Sequence, residues 1–161
     1  MTFCPNRPDM LPPWSEVETA YVAGIIDGEG SIGLLLRGDA KRRKGQWITI
    51  QLQVTNTNKP IMDWLDMMFG LREGQYVYAD HAGWRTWYGI KLQGNRAYHI
   101  ILRLARYLRI KKSQAELVIK YVSWRQSIGS IAHQFNKEED EIRRKFYLTC
   151  RGLNKRGKDA V

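Results

Sequence analysis

Two rhythms of apolar residues run along the chain, and the change from one to the other marks its elements. Val17, Ala20, Tyr21, Gly24 and Ile25 recur at the three- and four-residue spacing of a helix face. Ser15 and Glu18 precede that face as an S-x-x-E capping box, in which each side chain satisfies a backbone N–H at a helix start. A helix is therefore expected from about Glu16, with Gly28 and Gly30 as its stop. From Ser31 the period drops to two: Ile32, Leu34 and Leu36 face one side, Ser31, Gly33, Leu35 and Arg37 the other. After a charged turn over 38–45, Ile48, Ile50, Leu52 and Val54 alternate with Trp47, Thr49, Gln51, Gln53 and Thr55. This is the clearest two-faced strand of the sequence, one face core, the other polar but uncharged.

A helix is predicted over Lys59–Phe69, closed by Gly70. Strands follow at Gln75–Ala79 and Trp87–Leu92, joined by a turn containing Gly83. Helical spacing returns at Ala97–Tyr107, a second capping box (Ser113 with Glu116) opens a helix to about Gln126, and a last helix spans Lys137–Cys150. The order α-β-β-α-β-β-α-α-α gives an α+β fold, four short antiparallel strands backed by helices. It is read as one domain over 1–161, with an irregular arm at 1–13 and a basic tail at 151–161.

Composition narrows the partners. Of 161 residues, 26 are Lys or Arg and 16 Asp or Glu, a formal charge of +10. With 43% hydrophobic and 26% charged residues, the chain is too apolar for a disordered polycation and too polar for a membrane protein. The excess of positive charge points to a polyanion, most commonly nucleic acid. Two cysteines, Cys4 and Cys150, give no disulfide framework and suggest a reducing compartment. The proline-rich N-terminus lacks the pattern of a secretion signal, so an intracellular place is expected, in a prokaryotic cytoplasm or an organelle. Neither a membrane nor a small-molecule substrate is expected. His81, His99 and His133 show no ligand spacing.

The segment Val22-Ala23-Gly24-Ile25-Ile26-Asp27-Gly28-Glu29-Gly30 sets two carboxylates at the C-terminal end of a helix, where the macrodipole disfavours each by about 0.3–1 kcal/mol. A divalent cation would compensate them; an acidic, solvated helix end is the plainer alternative. These nine residues resemble the motif that names the LAGLIDADG homing endonucleases. The strand that follows, the run Gln53-Val54-Thr55-Asn56, and Leu108-Arg109-Ile110-Lys111-Lys112-Ser113-Gln114-Ala115 extend the similarity over roughly residues 15 to 125. The motif occurs once, and single-motif members of the family are homodimers.

The resemblance implies that two motif helices meet at Ala23 and Gly24, bringing two Glu29 carboxylates together. It implies Glu29 and the Gly28 carbonyl as ligands of Mg²⁺, with Mn²⁺ or Ca²⁺ able to substitute for binding. Asp27 is then a structural group. Lys111 takes the position of a catalytic-site lysine, and Asn56 that of a residue ordering water, with exposed-lysine and turn-residue roles as the alternatives. Lys59 is either an assistant or solvated. Glu29 stands where many members carry Asp, and Asn56 is shorter than the Gln of some members. The implied activity is a double-strand break in a long, near-palindromic duplex.

The outward set Trp47, Thr49, Gln51, Gln53 and Thr55, extended by Arg37, Tyr76, Tyr78, Asp80, Trp87 and Lys91, suits base-edge contacts in a major groove. Lys41, Arg42 and Arg43 suit phosphate contacts. An ordinary solvent face and a solvated turn are the bland readings of the same residues. A non-cleaving DNA-binding protein or an RNA maturase of the same fold is the alternative function; a ribosomal-type basic protein would leave the motif helix unexplained.

Overall fold

The structure, a computed structural model, describes residues 11–38, 47–71, 75–78, 86–129 and 136–155, of which 75–78 are described by their backbone. The elements, in chain order, are α1 (Glu16–Glu29), β1 (Gly30–Arg37), β2 (Trp47–Asn56), α2 (Lys59–Met68), β3 (Gln75–Tyr78), β4 (Trp87–Gln93), α3 (Gly94–Leu104), α4 (Lys112–Ser127) and α5 (Lys137–Leu153). This is the order expected from the periodicities. Lys41, Arg42, Arg43, Asp80 and the turn at Gly83 lie outside the described residues.

All neighbouring strands are antiparallel, in the order β1-β2-β4-β3. The register puts Ile32 opposite Leu52, and Leu52 opposite Leu92, so the three strands stack their apolar positions on one face. That face is covered by helices, and one cluster of buried side chains joins it to Val22, Ala23 and Ile26 of α1, Met62 and Leu65 of α2, and Ile100 and Leu104 of α3.

Apart from shifts of one residue at the ends of α2 and β4, the element ends differ from expectation in four places. The Gly28/Gly30 pair does not stop α1 by a left-handed turn. Gly28 lies inside the helix, and Gly30 is extended (φ −90°, ψ 172°), so helix passes directly into strand. Gly30 is needed for space: a Cβ there would sit 2.7 Å from the Ile26 carbonyl oxygen. Gly70 (φ 61°), by contrast, does close α2 as expected, donating to the Met67 carbonyl while Leu71 donates to that of Asp66.

The second capping box is absent: Lys111 is the N-cap of α4, Ser113 lies within its first turn, and no side chain of the cap bonds to the helix start. The box forms instead at α5, where Asn136 and Glu139 satisfy each other's backbone N–H groups. At its other end α5 runs through Arg151 to Leu153, into what the sequence presents as tail, and stops at Asn154, whose N–H bonds to the Cys150 and Gly152 carbonyls. Helix α3 begins at Gly94 and ends at Leu104, three residues earlier at each end than its apolar spacing suggests. Gly94 (φ 63°) lets it leave β4 without a loop.

Candidate acidic helix end and sheet face

The capping box, Ser15 Oγ accepting from the Glu18 N–H at 3.2 Å and Glu18 from that of Ser15 at 2.7 Å, fixes the start of α1. The Ser15 hydroxyl also donates to the Glu18 carboxylate at 2.7 Å, and this bond together with the one from the Ser15 backbone N–H holds that carboxyl below its usual range. At the other end the two acids part ways. Asp27 is buried, and its carboxylate accepts the backbone N–H of Arg109 at 2.7 Å and that of Lys111 at 2.9 Å. Its compensation is therefore peptide N–H. Lys111 Nζ in turn donates to the Asp27 carbonyl oxygen. The last turn of α1 has no basic residue of its own, so this ammonium, from 84 positions further on, is what meets the negative end of its dipole.

Glu29 is exposed. It lies where two open depressions meet. One is lined by Gln53, Thr55, Asn56, Thr57 and Trp87 and opens onto the sheet; the other runs beside Tyr21, Gly24 and Gly28 of α1 and Pro60 of α2. Asn56 borders both. Its side-chain oxygen accepts the Asn58 N–H at 2.8 Å, which shapes the turn into α2. Lys59 gives its ammonium to the Asp63 carboxylate at 2.7 Å, and that bond holds it above its ordinary range.

Of the two small residues singled out on α1, Ala23 is wholly enclosed in the chain's own core, whereas Gly24 is exposed and a Cβ there would meet no described atom within 4 Å. Gly28 is equally open. Together with Val17 (78% exposed) and Tyr21 (56%), they form a stripe at i, i+4, i+7 and i+11, facing away from the core.

The sheet face away from the core is polar, as the alternation implies. The register aligns Arg37 with Trp47, Gln53 with Lys91, and Tyr78 with Trp87, so strand residues from all four strands share one surface. Thr49 and Thr55 belong to the same face, half-buried, and Tyr76 stands opposite Gly89. Gln93, not foreseen as part of it, joins by donating its amide to Gln51 Oε1 at 3.3 Å, and Gln51 donates to Gln53 at 3.3 Å. Its place at a strand-to-helix junction masked it: by period two it continues β4, one residue past the strand's expected end.

No protein-family model matches the chain, and no curated protein matches it in sequence. Solved structures do. The chain is similar to the homing endonuclease I-CvuI, solved in complex with the I-CreI target (17% identity, 89% of this chain and 85% of that chain, TM-score 0.64). It is similar to the archaeal intron-encoded homing endonuclease I-Vdi141I complexed with DNA (14%, 88% and 87%, TM-score 0.66). It is similar also to the LAGLIDADG homing endonuclease I-GzeII in complex with its DNA target (16%, 80% of this chain but 42% of that chain, TM-score 0.58). The protein has the LAGLIDADG homing endonuclease fold, in a chain that carries the motif once.

Proposed function

We propose that the protein is a sequence-specific DNA endonuclease that acts as a homodimer and cuts both strands of a long, near-palindromic duplex in a divalent-metal-dependent reaction. The observation that carries this reading is the position of Glu29, an exposed carboxylate at the junction between a polar four-stranded face and a bare helix stripe. The complexes of I-CvuI and I-Vdi141I with DNA support it by likeness of fold.

The donors at this helix end are all oxygen: the Glu29 carboxylate and the Gly28 carbonyl. Among the described residues no three His, Cys, Asp or Glu side chains gather. A cation that keeps most of its water and takes one or two carboxylates, Mg²⁺, fits such a set, and Mn²⁺ or Ca²⁺ would substitute for binding. When bound, it supplies an activated water and stabilises the leaving 3′-oxygen. Glu29 and the Gly28 carbonyl would hold it, the Lys111 ammonium would neutralise phosphate charge at the same helix end, and Asn56 borders both open depressions, where it could order a water.

Dimerisation is supported by the two glycines. Gly24 and Gly28 each weaken an exposed helix by about 0.5–1 kcal/mol relative to alanine, and nothing among the described residues requires them. Close approach of a second α1 would. A C2 axis through that stripe sets two Glu29 carboxylates near one another and two sheet faces along one duplex, which is why the target should be close to palindromic.

The test uses a plasmid carrying a duplex selected for binding from a randomised library. Linear product is expected with Mg²⁺ and none with chelator, and Glu29→Gln should abolish cutting while retaining the gel shift. A shift without linearisation under any divalent ion would replace this reading with that of a non-cleaving binder.

A further inference from the structure

The hydrogen bonds that the Asp27 carboxylate accepts from outside its helix both come from one turn. The two carboxylate oxygens take the N–H groups on either side of Ile110, those of Arg109 and Lys111, from 82 and 84 positions away. The same turn sends the Lys111 ammonium back to the Asp27 carbonyl. A lysine side chain has four rotatable bonds and a compact point charge, so its place is set only as well as its backbone is held. Here the backbone N–H of the lysine itself is held.

We propose that Asp27 is a positioning residue acting through Lys111: by clamping the 109–111 turn to the end of α1, it delivers the Lys111 ammonium to the helix terminus that carries Glu29. This rests on the nuclease reading above, and it goes beyond that reading by giving the buried acid of the motif a task in the reaction.

The test pairs Asp27→Asn with Lys111→Met. The amide keeps the volume and one acceptor but sets N–H against N–H at the other. Single-turnover cleavage of the library-selected duplex in Mg²⁺ is expected to fall about 10- to 100-fold in Asp27→Asn, with affinity nearly unchanged. The double variant should be no slower than Lys111→Met alone, since Asp27 has nothing left to position. Independently of activity, amide hydrogen exchange at Arg109 and Lys111 should accelerate in Asp27→Asn and stay at the wild-type rate in Lys111→Met. Asp27→Glu, which keeps the charge and displaces the oxygens by one methylene, should show the same pattern and serves if the amide variant does not fold. Multiplying losses in the double variant, or unaltered exchange at both amides, would overturn the proposal. If the wild-type chain leaves every bound duplex uncut, the nuclease reading fails, while the exchange rates still decide whether Asp27 holds the turn.

Discussion

Cys150 Sγ accepts the backbone N–H of Leu34 at 3.1 Å. One turn further along α5, Asn154 donates to the Ile32 carbonyl at 2.9 Å. β1 is an edge of the sheet, and these are groups that β2 does not reach, so α5 closes the edge with side chains where a fifth strand would otherwise pair. Cys150→Ala should leave the buried Leu34 N–H without an acceptor and lower stability by about 1–3 kcal/mol in urea unfolding. Cys150→Ser, which keeps an acceptor, should lose less. Equal losses would mean that packing alone fixes the helix to the edge.

Burial also pushes the Cys150 thiol above its ordinary value of 9.0, the Leu34 N–H only partly offsetting it, and burial pushes the Tyr121 phenol above 10.0. Both groups are neutral when protonated, and the fold favours that form. Their contribution to stability is therefore complete below the unfolded values and declines as pH rises through the folded ones. Thermal unfolding followed from pH 7 to 11 should show a plateau to about 9 and then a fall. In Cys150→Ala the fall should begin later, set by Tyr121.

Gly24 and Gly28 separate folding from association. Alanine at either position meets no atom of the described residues within 4 Å, so each replacement should raise monomer stability by about 0.5–1 kcal/mol. If the proposed dimer forms through this stripe, the same replacements should weaken it in sedimentation equilibrium, since the added methyl groups hold two helices apart. Gly30→Ala behaves oppositely to both, destabilising the chain itself by roughly 1–3 kcal/mol through its contact with the Ile26 carbonyl. A dimer unaffected by alanine at 24 and 28 would place the symmetry axis elsewhere.

Gln53 and Lys91 stand opposite one another on β2 and β4 but should fail in different ways. Gln53→Ala should relax preference at one base position, a loss of about 1–3 kcal/mol in discrimination. Lys91→Ala, which removes a positive charge from the same face, should also weaken binding to unrelated sequences and reduce the slope of log affinity against log salt by about 0.9. Competition binding with single-base variants at three salt concentrations reads both.

The capping box at Ser15, the two-faced run of β2 and the Gly70 stop were legible because each depends on residues a few positions apart. Local bonds and a period of two decide them. The same applies to the identity of the acidic segment, whose resemblance to a family rests on nine adjacent residues. Ser113 and Glu116 read equally well as a box, yet α4 starts two residues earlier, at an N-cap, Lys111, whose N–H is held by a carboxylate 84 residues upstream.

What the sequence determined by itself was therefore the element order, the polar face of the sheet and the acidic end of α1. Only the tertiary structure decided that Asp27 turns inward to backbone N–H groups while Glu29 stays in solvent. It alone placed Ala23 in the core, left Gly24 bare, and set Cys150 against the sheet edge. The physical reason is that periodicity states which face of an element is apolar, whereas the partner of each polar group depends on which distant segment packs there. A helix end with two acids is written in adjacent letters, but the amides and the ammonium that divide their roles arrive from the far side of the fold.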